Sequence, residues 1–99
     1  MADERECVLV TKKAIFITTR WPRNRSERSC YGDTHAKGQI ADIFINRREN
    51  RKVADFIDTL YHEFTHAVFG LYVGGTKGRQ EERICRTIGD AASKAFKNG

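Results

Sequence analysis

Between about residues 50 and 73, apolar side chains recur at steps of three and four: Val53, Phe56, Ile57, Leu60, Tyr61, Phe64, Val68 and Leu71. This spacing predicts one long α-helix with a single apolar stripe. A second stripe, through Ile84, Cys85, Ile88, Ala92, Ala95 and Phe96, predicts a C-terminal helix over 80–97. Gly70, Gly74, Gly75 and Gly78 lie between the two and are expected to end the first helix in a turn. Upstream the period shortens. Cys7–Thr11 and Ala14–Thr18 are β-branched runs separated by Lys12 and Lys13, and they read as a hairpin or as one bulged strand. Gln39–Asn46 predicts a third strand, with Ala41, Ile43 and Ile45 on one side and Ile40 and Phe44 on the other, hence cover on both faces. Residues 1–6 are polar and expected to be disordered, and residues 20–38 form a basic loop holding the only proline, Pro22. The pattern predicts an α+β single domain. A small sheet of about three strands packs on the long helix, and a last helix follows.

The long helix carries His62-Glu63-Phe64-Thr65-His66. Residues four apart share a helix face, so both imidazoles can reach one ion. At roughly 100° per residue, counted from Val53, the apolar stripe centres near 20° while His62 and His66 fall near 180° and 220°. The histidines therefore point away from the main core and need another element to cross that side. A catalytic zinc ordinarily takes three protein ligands and leaves one position open. The only other histidine is His35. Glu81 and Glu82 head the C-terminal helix, where acids also favour the helix dipole on their own account. If the two helices pack antiparallel, that helix start returns across the histidine face. A pairing of His35 with Cys30 matches no metal-finger spacing.

Composition narrows the setting. The 99 residues allow one domain with one modest core, which a metal joining two elements would stabilise. Three widely spaced cysteines, Cys7, Cys30 and Cys85, form no CxxC pair and suit a reducing compartment; Cys85 reads as a small core residue. No apolar run approaches a membrane span, so the expectation is a cytoplasmic protein without membrane contact. The net charge is +5. Arg20, Arg23, Arg25 and Arg28 accompany Trp21 in the loop, while Arg47, Arg48, Arg51 and Lys52 precede the helix. Such clusters suit nucleic acid or an acidic protein. The GGTKG stretch lacks the spacing of a phosphate loop and reads as a connector.

With these residues in place, the segment from about Gln39 to Phe96 resembles the minimal zincin metallopeptidases whose third ligand is a glutamate, including phage-type and ImmA/IrrE-like members. Thr59–Gly70 looks like their active-site helix, with the small Ala67 after the second histidine. The third-ligand helix of such proteins often reads Glu-x-x-small-Asp-x-apolar-small. Glu82, Cys85, Ile88 and Gly89 fit that pattern, but Arg86 stands where Asp is common, which leaves Asp90 as a substitute. The resemblance implies a zinc peptidase with His62, His66 and Glu82 as metal ligands, Glu81 remaining a competitor for the third place, and Glu63 as general base. It also implies a protein or peptide substrate paired along the third strand as a sheet edge. Asp58, one turn before His62, is a candidate to orient a histidine. A different reading keeps zinc as a structural clamp in a non-catalytic binding or inhibitory module that contacts nucleic acid or an acidic partner. A third brings a peptidase to DNA through the basic loops.

Overall fold

The computed structural model describes residues 4–74 and 78–98. It contains β1 (Glu4–Val10), β2 (Lys13–Arg20), a one-turn helix α1 (Arg25–Arg28), β3 (Gly32–Lys37), β4 (Ile40–Asn46), α2 (Val53–Val68) and α3 (Arg79–Asn98). The fold is α+β. The sheet has four strands rather than about three, in the order β1-β2-β4-β3. β2 and β4 run parallel, and the two outer pairs are antiparallel.

Alternation along the central strands builds the core. Ile15, Ala41, Ile43 and Ile45 turn to one face and are buried against α2 and the following turn, with Phe56, Leu60, Phe64, Val68 and Leu71 completing the cluster. Each isoleucine side chain so removed from water contributes about 1.5–3 kcal/mol. On the opposite face of β4, Ile40 is exposed and Phe44 lies under the Arg20 guanidinium at 4.3 Å, and no helix among the described residues covers it. The expected cover on both faces is therefore a side chain, not a layer.

Several sequence expectations change here. Glu4–Glu6 belong to β1 instead of a disordered tail; residues 1–3 lie outside the described residues. The span 20–38 is not one loop, because it contains α1 and all of β3. β4 is an interior strand, so the free edge over the helix is β3. α2 starts at Val53 and ends at Val68, and Phe69–Val73 continue as a π-helical turn, closed by Gly74 at φ 72°. Gly70 sits inside that turn, against Ala36 of β3, and does not end the helix. Gly75 lies outside the described residues. The turn is tied back to the β1–β2 hairpin, where Tyr72 hydrogen-bonds Val10 and Thr11 and the Lys13 ammonium reaches the Leu71 carbonyl.

α3 packs on the outer side of α2, antiparallel to it. Gly89 lies against Asp58, and the Ser93 hydroxyl donates to the Ala54 carbonyl at 3.0 Å. Cys85 is fully buried, and Cys7, Cys30 and Cys85 are all free thiols. Among the described residues no helix is long and apolar enough to cross a membrane.

Candidate metal centre

The helix phase puts His62 and His66 on the face of α2 that α3 crosses. Their rings stand 5.0 Å apart, tilted by 59°. From the first turn of α3, Glu82 reaches both: one carboxylate oxygen lies 3.0 Å from His62 Nε2 and the other 3.0 Å from His66 Nε2. Donor atoms of His62, His66 and Glu82 all fall within 4.8 Å of one another, the spread of a group that could share one cation. Glu81 takes a different place. Its carboxylate accepts from the other ring nitrogen of His66, Nδ1, at 2.6 Å.

The donor chemistry fits a metal ion. With Nδ1–H of His66 donating to Glu81, Nε2 carries a lone pair directed at another carboxylate oxygen. Two acceptors do not face each other stably unless a proton or a cation lies between them. A carboxylate behind the distal ring nitrogen is also the usual way a metal-binding imidazole is held in its tautomer. Burial on its own lowers the His66 pKa. The hydrogen bond to Glu81 and the charges of Glu63 and Glu82 outweigh that, so the net shift is upward. For Glu82 burial acts upward, but the two histidines hold the carboxyl below its ordinary value.

Glu63 is enclosed between α2 and β3, only 8% exposed. Burial raises its pKa, opposed by a hydrogen bond from Thr34 and by the neighbouring histidines. The Thr34 hydroxyl lies 2.7 Å from Glu63 Oε1, and 3.0 Å from the Glu63 carbonyl. With Oε1 anchored, the second oxygen Oε2 lies 4.0 Å from His62 Nε2, on the side of the ligand group. Gly32 makes the close approach of β3 possible. A Cβ there would sit 3.0 Å from the Glu63 Cγ and 2.8 Å from the Phe44 carbonyl.

These residues line a cleft of about 930 Å³ between β3, α2 and the start of α3. Thr34 escaped the sequence reading because β3 itself did. Two candidates fall elsewhere. Asp58 lines the cleft beneath Gly89, and among the described residues its carboxylate forms no hydrogen bond with a histidine side chain; Glu81 makes that contact, to His66. Asp90 is exposed and pairs with Lys94 at 3.0 Å, so it does not substitute for the missing aspartate, while Arg86 pairs with Glu82 itself at 3.2 Å. His35 bonds Asp33 at 2.8 Å on the exposed face of β3. No protein-family model, curated protein or solved structure matches this chain, so the case for a function rests on its own residues.

Proposed function

We propose that this protein is a minimal zinc-dependent peptidase. The observation that carries the reading is the meeting of both imidazole Nε2 atoms on the two oxygens of Glu82, with a buried glutamate alongside. His62, His66 and Glu82 would hold zinc, which would supply the Lewis acidity to polarise a carbonyl and to activate water near neutral pH. Glu63 then acts as general base: Oε2 takes the proton from the attacking water and passes it to the leaving amine as the C–N bond breaks. Thr34 fixes the rotamer from which that transfer occurs. Glu81 orients His66. The edge of β3 distal to β4 offers backbone groups to an extended peptide, which would lie across the cleft by strand addition.

Two substitutions separate this reading from a zinc clamp in a binding module. Glu63→Gln is expected to retain zinc at one equivalent and to lose peptide hydrolysis by at least about 100-fold, the scale of general-base loss. His62→Ala is expected to lose both. Metal content by mass spectrometry and cleavage of a fluorogenic peptide mixture read the two quantities. Biological activity that survives Glu63→Gln and disappears with His62→Ala would replace the peptidase by the clamp.

A further inference from the structure

The two basic clusters of the sequence are one surface in the fold. The amide of Arg47 donates to the Arg20 carbonyl, and that of Asn46 to the Tyr31 carbonyl, both at 2.9 Å. Fully buried Asn46 donates its side-chain amide to the Glu27 and Cys30 carbonyls. Asn50 holds the Tyr31 carbonyl and in turn accepts from Thr59 of α2. Residues 20–31 are thus bolted to residues 46–50, and the Arg51 guanidinium lies 6.0 Å above the Trp21 ring.

Charge is concentrated there. Segments 20–31 and 47–52 hold eight cations against two acids, Glu27 and Glu49, whereas the remainder of the chain holds ten cations against eleven acids. The net charge of +5 therefore comes from this one region. Arg20 is not available to a partner, since it makes a bidentate pair with Glu27 at 2.8 Å and pulls that carboxyl down to about 2. Arg25, Arg28 and Lys52 are exposed, and their side chains form no hydrogen bond or ion pair with another described residue. Trp21 and Tyr31, 43% and 59% exposed, flank α1 on either side in sequence.

We propose that this surface binds single-stranded nucleic acid, an activity separate from the zinc site. Guanidinium forks match phosphate oxygens in bidentate geometry. Exposed aromatic rings beside them stack unpaired bases, which neither a duplex nor an acidic polypeptide offers. The pinned backbone means that the two cation-bearing segments are already side by side before the strand arrives.

Trp21 is the only tryptophan, so its fluorescence reports on the surface directly. Titration of the full chain with a thymidine 20-mer should quench that fluorescence and give an affinity that falls steeply with salt. Arg25→Ala/Arg28→Ala should reduce the log–log salt slope by about 1.4, two contacts at about 0.7 each on a single strand. Trp21→Ala, followed by anisotropy of a labelled strand, should weaken binding roughly tenfold without changing the slope. Glu63→Gln should bind like wild type. The proposal is overturned if the strand binds without quenching Trp21, if the double variant keeps the full salt slope, or if a matched duplex or polyglutamate binds as tightly as the single strand.

Discussion

Glu81 and Glu82 are adjacent in sequence and address opposite ends of the same imidazole, so their losses should differ in kind. Removing Glu82 takes away the one carboxylate that both Nε2 atoms share. Removing Glu81 leaves the three donors in place but frees the His66 ring to rotate and change tautomer. Glu81→Ala is expected to cost about 10–100-fold in zinc affinity, as loss of an orienting partner does, and Glu82→Ala considerably more. Competition against a zinc chelator measures both, and the reverse order would make Glu81 the ligand. Thr34 acts on Glu63 in an analogous way. Burial raises the Glu63 pKa and the Thr34 hydroxyl opposes the rise by favouring the ionised form. Thr34→Val removes the opposition, so the carboxyl stays protonated to higher pH, and the ionised form that the proposed general base requires is depleted over that range. The acid limb of kcat/KM should move upward in pH, with a larger activity deficit at pH 6 than at pH 8. An unshifted limb would mean that Glu63 is not the titrating base.

At the scale of elements, the site depends on two close approaches. β3 reaches α2 through Gly32, and α3 reaches it through Gly89, where a Cβ would stand 2.5 Å from an Asp58 carboxylate oxygen and 2.6 Å from the Asp58 carbonyl. The side chain can move aside; the carbonyl cannot. Gly89→Ala should therefore push the helices apart, costing about 1–3 kcal/mol, or a Tm drop of at least about 4 °C for a domain this small. Glu82 lies two turns earlier on the same helix, so zinc affinity should fall in parallel. Thr87→Ala, on the exposed side of α3, should move neither quantity. Stability loss with unchanged zinc affinity would show that the ligand group does not depend on helix spacing. The same elements explain what the sequence disclosed. α2 and α3 were legible because their apolar stripes repeat at the helical period, and His62, Glu63 and His66 because their relation is local to one turn. β3 was hidden. Its inward positions are Gly32, Thr34 and Ala36, small because α2 lies so near, and its outward positions are Asp33, His35 and Lys37, so no apolar alternation marks it. Without β3 neither Thr34 nor the true sheet edge could be found. The small-residue pattern after Glu82 favoured it over Glu81, but adjacent residues on a helix differ by about 100°, so only the packed angle of α3 shows which one reaches both histidines.

On the whole molecule, charge is separated in a way the net value conceals. The basic end built from residues 20–31 and 47–52 contrasts with a cleft lined by Asp33, Asp55, Asp58 and Glu81 in addition to Glu82 and Glu63, with Glu49 of the basic segment at its border. Among the described residues Arg86 is the only lysine or arginine in that lining, and it is paired with Glu82. A cleft walled by one sign of charge focuses its field on whatever enters and raises the encounter rate of oppositely charged chains. Zinc would neutralise part of the charge near the proposed ligands, but Asp55 in the first turn of α2 and Glu49 before it also line the cleft, outside the proposed ligand set. Peptides carrying Lys or Arg beside the scissile bond should therefore be cleaved roughly tenfold faster, in kcat/KM, than matched peptides carrying Glu. Because the Debye length shrinks from about 10 Å at 0.1 M salt to about 3 Å at 1 M, the preference should narrow as salt is added. Glu49→Gln/Asp55→Asn should narrow it at low salt while leaving zinc content at the wild-type level. Equal cleavage of the two peptides at 50 mM salt would remove the electrostatic account of substrate choice without touching the assignment of the metal ligands.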